Sequence, residues 1–152
     1  MKIAVVAANG RVAKKVIAEA LSRGHEVVAF GRHAENDTPA KKYVQKDLFD
    51  LTREDLAGFD AVVDAAGAWS PETFPIIPNA AKHLTGILAG TPVRLVVVGG
   101  AGSLFVNPEH TLTVAETPDF DRGTKSWIYG ATYERRPNVA YNTAAFLFTN
   151  PK

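Results

Sequence analysis

The first apolar run is continuous, Ile3 to Ala8, and rich in β-branched residues. A strand with no polar alternation belongs where both faces are covered, in the middle of a parallel sheet. Asn9-Gly10 interrupts the run. Beyond the break, Val12, Ala13, Val16, Ile17, Ala20 and Leu21 recur at helical spacing, with Arg11, Lys14, Lys15 and Glu19 on the opposite face. Gly24 ends that helix as a C-terminal cap does. Val27 to Phe30 is the next apolar run. Strand, glycine turn, helix and strand follow one another within about 30 residues, the length of a βαβ unit.

The alternation then repeats. Tyr43-Val44-Gln45 is a short candidate strand. A short helix is expected from Thr52 to Leu56, with Thr52 as N-cap and Asp55 as its capping-box partner. Asp60 to Ala66 is a third strong strand. A helix is expected within Pro78 to Leu88, with Ala81, Leu84, Ile87 and Leu88 inward. Pro75 and Pro78 argue against an earlier start, because proline suits little beyond a helix's first turn. Arg94 to Val98 is a fourth strong strand and runs into Gly99-Gly100-Ala101-Gly102. Residues 103 to 138 hold turn signals such as Asn107-Pro108 and Thr117-Pro118-Asp119 and read as a long loop. Val139 to Phe148 has room for one more strand. Strands alternating with helices predict an α/β fold: a Rossmann-type, doubly wound parallel sheet in three αβα layers, as a single domain over residues 1–152.

Composition narrows the function classes. Apolar residues make up 46% and charged residues 22%, as in ordinary globular domains. With 17 basic and 16 acidic residues there is no cationic surplus of the kind nucleic-acid binding needs. The chain has no cysteine, which excludes disulfides, thiol nucleophiles and cysteine-ligated metal. Its four histidines lie apart, without metal-ligand spacing, so no metal site is expected. The opening apolar run is too short for a signal peptide. No run approaches the roughly 20 residues that cross a bilayer. A soluble cytoplasmic protein is expected, with no nucleic-acid or membrane partner.

Chemistry concentrates at the ends of the predicted strands, where open α/β sheets bind ligands. A dinucleotide loop uses glycines for a tight turn, for close approach of phosphate and for helix–strand packing. Here the loop reads Ala7-Ala8-Asn9-Gly10-Arg11-Val12-Ala13, keeping only the middle glycine. The helix that follows still offers free N–H groups and a dipole to phosphate. The plain alternative is a strand–turn–helix connection without a ligand. After the second strand stands Gly31-Arg32-His33 instead of the Asp or Glu that would take a ribose 2′-OH. An arginine there suits a 2′-phosphate and hence NADP, or else is a solvated surface arginine. Asp47-Leu48, Ala65-Ala66-Gly67 and Gly99-Gly100 occupy the remaining strand ends. Trp69 follows the fourth of these strands, to stack on a ring or simply to pack. Ser103 is the candidate polar group near a substrate; a turn serine after a Gly-rich stretch is its bland alternative.

The blocks KIAVVAANGRVAKKVIAEALSRGHEVVAFGRH, KDLFDL, FDAVVDAAGAW, RLVVVGGAGSLFV and ETPDF resemble atypical short-chain dehydrogenase/reductase proteins. The group they resemble most is the NmrA-like, NAD(P)-binding set described as NADH-flavin reductases, to which biliverdin reductase B is related. The resemblance covers about residues 1 to 120, and residues 121–152 diverge from it. It implies NADP(H) as cofactor, with NAD(H) as the alternative, and flavin as a substrate. It maps pyrophosphate contacts to Ala7, Asn9, Gly10, Arg11 and Val12, the basic residue after the second strand to Arg32, and adenine-side contacts to Asp47 and Leu48. The nicotinamide side maps to Ala66, Gly67 and the stretch from Gly99 to Ser103. Family members begin the loop with glycine, where this chain has Ala7. They also continue further after the TPDF block, so part of the substrate side is expected to be absent or rebuilt, and a homodimer partner is expected to cover any apolar surface left open. The Tyr-x-x-x-Lys pair of short-chain dehydrogenases does not occur. Direct hydride transfer from nicotinamide to a stacked flavin does not require it. Two functions follow: a reductase of flavin or a similar flat acceptor, or a non-catalytic NADP-binding regulator. A third outcome is a family member that binds nothing.

Overall fold

The computed structural model describes residues 1–70, 72–99, 105–118 and 142–143. The first apolar run forms β1 (Lys2–Val6), and Ala4, Val5 and Val6 lose essentially all solvent contact. Two parallel neighbours pair the edges of β1, and the helices that flank the sheet cover its two faces. Val5 pairs with Ala29 of β2 (Glu26–Gly31) and with Val63 of β4 (Ala61–Asp64). β3 (Lys42–Gln45) adds outside β2, and β5 (Arg94–Val97) outside β4. A two-residue β6, Asn142–Thr143, pairs parallel with Val96 and Val97 and falls inside the segment expected to hold a last strand. The strand order is β3-β2-β1-β4-β5-β6, the doubly wound order expected for this class.

Alternation of side chains divides the sheet's neighbours into two cores. Ala4, Val6, Val28, Phe30, Val62, Leu95 and Val97 point to one face and meet α2 (Ile76–Leu88) through Ala80, Leu84 and Leu88. Val5, Val27, Ala29 and Val63 point to the other and meet α1 (Arg11–Ser22) through Ala13, Ile17 and Ala20. Three αβα layers result. α1 stops as expected: Gly24 takes φ 77, its N–H bonds to the Leu21 carbonyl, and the His25 N–H reaches the Ala20 carbonyl. Both bonds satisfy carbonyls that the helix end would otherwise orphan.

Three expectations change. α2 begins at Ile76, so Pro78 lies within its first turn, where no intrahelical N–H is lost; Ala80 rather than Ala81 is its buried alanine. Thr52 and Asp55 do form their reciprocal cap, with the Thr52 N–H on Asp55 Oδ2 at 2.7 Å. The segment after them makes only tight turns, Leu56 N–H to Arg53 O and Ala57 N–H to Glu54 O, before Gly58 turns at φ 76. Five residues cannot offset the cost of nucleating a regular helix. Within the expected loop, residues 105–118 carry local order: Phe105 bridges Thr113 antiparallel, and Thr113 and Glu116 cap a short 3-10 turn, Val114–Glu116. Among the described residues no helix is long and apolar enough to cross a membrane.

Candidate functional site

Strand order reverses at β1, which sends connections to β2 on one side and sits beside β4 on the other. Ligands of open α/β sheets bind in the crevice at such a reversal, outside the carboxyl ends of the strands. Two loops border it here, Ala7–Gly10 after β1 and Ala65–Gly67 after β4, and the Ala65 N–H bonds to the Val6 carbonyl between them. Ala7 turns the chain with φ 56, a left-handed conformation. The family's glycine at this place is therefore required by the backbone dihedral, and alanine holds the same shape at a strain. Ala8 is pinned by its N–H on the Phe30 carbonyl at 3.0 Å, and the Gly10 N–H closes the turn on the Ala7 carbonyl at 3.1 Å.

Gly10 is the N-cap of α1 and carries no side chain to cap it. The first-turn N–H groups, those of Arg11, Val12 and Ala13, are the ones a helix leaves without intrahelical partners. A Cβ on Gly10 would stand 3.4 Å from the Ala7 carbonyl oxygen and 3.9 Å from that of Ala65. These are ordinary contact distances, so the fold itself admits a Cβ here; glycine leaves that volume free beside the helix N-terminus, where a phosphate would approach. Ala13, at the last glycine place of the fingerprint, is fully buried against the sheet. Its methyl is accommodated in the helix–strand contact. The residues present thus fit a dinucleotide: backbone N–H groups and the helix dipole would hold the phosphates.

A second cluster is built on Gly31, at the end of β2. A Cβ there would collide with Asn9 Oδ1 and with the Tyr43 hydroxyl, because both side chains cross directly over it. Asn9 belongs to the phosphate loop, yet its amide donates to Asp37 Oδ1 at 2.5 Å. The other Asp37 oxygen takes Lys14 Nζ at 2.6 Å. The Lys14 and Asn9 bonds hold the Asp37 carboxyl below the usual carboxylate range. The Tyr43 hydroxyl lies 2.7 Å from the His33 carbonyl and 3.1 Å from Asn9 Oδ1. Burial pushes its pKa up. Arg32 follows Gly31 and is exposed. Its carbonyl accepts from Gln45. Asp47 caps a 3-10 turn, Leu48–Asp50, by accepting the Phe49 N–H at 3.0 Å, and the Leu48 side chain points into the core. Leu48 therefore presents backbone, not side chain, to anything bound above it.

Sequence reasoning missed Lys14, Gly31, Asp37 and Tyr43 as members of this cluster. They come from four separate segments: Lys14 reads only as a polar helix position, Gly31 as a neighbour of Arg32 and Tyr43 as a strand residue, and Asp37 carries no signal.

On the other side, Asp64 ends β4 with its side chain 2% exposed. One oxygen accepts the Ala66 N–H at 3.0 Å and shapes the turn that leads to Gly67. Burial in the sheet outweighs that bond and pushes the carboxyl up to about 6. The Val98 N–H bonds to the Asp64 carbonyl at 2.8 Å, which brings Gly99, at the end of β5, beside the same turn. Trp69 lies against Gly67 and under the Arg11 guanidinium. Ala7, Asn9, Gly10, Ala66, Gly67 and Gly99 thus follow the carboxyl ends of β1, β4 and β5, Arg11 and Val12 open α1, and Arg32 and Asp47 follow β2 and β3. Ser103 and the residues Gly100 to Gly102 lie outside the described residues.

Known proteins share this fold. Residues 7–133 match the NAD(P)H-binding family. The Bacillus subtilis protein YwnB is 42% identical over 127 residues, which cover 80% of this chain and 58% of YwnB. The crystal structure of a "putative NADH-flavin reductase" from Streptococcus pneumoniae superposes with a TM-score of 0.82 at 45% identity, over 88% of this chain and 63% of that one. A Listeria monocytogenes protein aligns with a TM-score of 0.59 at 40% identity, over 68% and 62% of the two chains. The chain spans less than two thirds of the length of each of these relatives. Loop, strand order and relatives converge, and the chain belongs to the NAD(P)H-binding family of Rossmann-type proteins.

Proposed function

We propose that the protein is an NADPH-dependent reductase of flavin or a similar flat acceptor. The observation that carries this is the N-terminus of α1 at the sheet's reversal point, without a side-chain cap at Gly10 and beside the Ala65–Gly67 turn. It is a place for a dinucleotide's phosphates with the nicotinamide directed toward the ends of β4 and β5. The solved relative described as an NADH-flavin reductase supports the choice of acceptor.

The preference for NADPH rests on charge. Lys14 pairs with Asp37 and so offsets the repulsion this carboxylate would exert on a 2′-phosphate. Arg32, exposed at the end of β2, supplies a guanidinium that matches a phosphate. When bound, a reduced nicotinamide would supply the hydride, both electrons included, and solvent the proton that completes reduction of the acceptor. The protein's part is alignment and exclusion of water. The Asn9–Asp37–Lys14–Tyr43 cluster fixes the loop, and Asp64 shapes the turn beside the ring.

Titration with NADPH and NADH, followed by energy transfer from tryptophan to the nicotinamide, tests the site. Steady-state oxidation of NADPH with FMN or FAD tests the reaction. Binding with no turnover for any flavin would transfer the assignment to the dinucleotide-binding regulator. Binding of neither cofactor would remove both.

A further inference from the structure

Tryptophan is among the largest apolar side chains and is normally well covered. Trp69 is 84% exposed. It is not a loose surface residue. Ala68 before it is buried, the Trp69 N–H donates to Thr73 Oγ1 at 3.3 Å, and the Ser70–Thr73 turn holds the backbone beneath it. The edge of the indole rests on Gly67: a Cβ built there would lie 3.7 Å from both Nε1 and Cζ2. The Arg11 guanidinium stands over the ring, 5.5 Å from its centroid. An exposed indole therefore stands between Arg11, the first residue of α1, and the Gly67 turn that the proposed function gives to the nicotinamide.

We propose that Trp69 is the stacking platform of the electron acceptor, and that Arg11 selects an acceptor that carries a phosphate. The proposal rests on the reductase reading and adds the residues that recognise the second substrate. A planar ring system laid on the indole would lie beside Gly67. Arg11 is within reach of a phosphate attached to that ring while its guanidinium keeps the indole in place, since planar guanidinium both stacks on aromatics and pairs with phosphate. The geometry points to FMN rather than riboflavin as the better acceptor.

The test uses Trp127→Phe, which leaves Trp69 as the chain's only tryptophan. FMN added without any dinucleotide should quench Trp69 emission saturably, and riboflavin should do so at higher concentration. Trp69→Ala should raise the KM for FMN about tenfold, the usual loss when an aromatic stacking partner is removed. Trp69→Phe should restore most of that loss, and the NADPH dissociation constant should be the same in all three. Arg11→Met should bring the FMN and riboflavin constants together. Non-saturable quenching, or an unchanged KM for FMN in a Trp69→Ala protein that still oxidises NADPH, would overturn the platform and leave the reductase standing. A Trp69→Ala protein that loses NADPH affinity but not FMN affinity would assign the indole to the nicotinamide and also overturn it. Saturable FMN quenching without NADPH turnover would instead sink the reductase reading and keep the binding site.

Discussion

Replacing Ala7 by glycine should stabilise this protein. Ala7 is held at φ 56. A left-handed conformation costs an L-residue roughly 1–2 kcal/mol. Glycine avoids that cost but frees the unfolded chain, which offsets about 0.4–1 kcal/mol. The expected net gain is about 0.5–1 kcal/mol, or about 2–3 °C in Tm for a domain of this size. Urea unfolding followed by circular dichroism should show a higher midpoint with an unchanged slope, since the change is local and exposes no new surface. Ala13 supplies the contrast. It stands at the other alanine-for-glycine place of the same loop, but it is helical and fully buried. Ala13→Gly loses about 1 kcal/mol of helix propensity and about 0.8 kcal/mol for the buried methyl, so it should lower stability by about 2 kcal/mol. The two substitutions look alike in sequence and should have opposite signs. A destabilised Ala7→Gly protein would refute the left-handed turn, and a large loss of NADPH affinity with it would refute the dinucleotide assignment of the loop.

The remaining expectations concern the site's two flanks. Asp64 has a folded pKa raised to about 6 from an ordinary 3.8, so the native state binds more protons than the unfolded chain between those values. Stability therefore falls as pH rises from about 4 to 6 and stays lowered above, by about 3 kcal/mol at the conversion of one pKa unit to 1.36 kcal/mol. Asp64→Asn, which can still accept the Ala66 N–H, should erase that pH-dependent loss; a stability difference from wild type that is flat between pH 4 and 8 would show the carboxyl is not desolvated. Gly31→Ala should lower both stability and NADPH affinity, because its Cβ would stand 2.5 Å from the Tyr43 hydroxyl and overlap Asn9. Tyr43→Phe alone should cost about 1 kcal/mol for its lost hydrogen bond, and the double variant should lose less than the sum, as coupled neighbours do; strict additivity in thermal unfolding would count against the crossing. Arg32→Ala should weaken NADPH more than NADH in the titration, and equal weakening would remove the 2′-phosphate assignment.

How far these features could be read in advance follows from how local they are. β1, β2, β4 and β5 announce themselves as apolar runs because helices flank both faces of the sheet, and α1 by its period and by Gly24 at its end. Pro78 misplaced the start of α2 by two residues, since a proline late in the first turn costs no more than one at its start. The Thr52–Asp55 cap was legible, but the helix it promised was not formed, because Gly58 follows too soon. Gly10 and Arg11 could be placed from the loop's spacing. Ala7 was recognised as a departure from the family but not as a left-handed residue, because an alanine bears no mark of its dihedral. Asn9, Asp37 and Tyr43 meet only after the chain has crossed from β1 through α1 to β2 and β3; Asp37 is 28 residues from Asn9 and Tyr43 is 34. No period or motif connects such separations.

The two cores on opposite faces of one sheet bear on how this chain can change over generations. Consecutive residues of β1, β2 and β4 serve different cores, so inserting or deleting a single residue inside one of those strands would exchange every side chain beyond it between helices. Lineages can therefore drift in the identity of these residues but scarcely in their number. The connections at the carboxyl ends carry no such restriction, since a longer surface loop costs little. New substrate contacts would then arise through length variation beyond Gly67 and Gly99, while the strands that carry them keep their count.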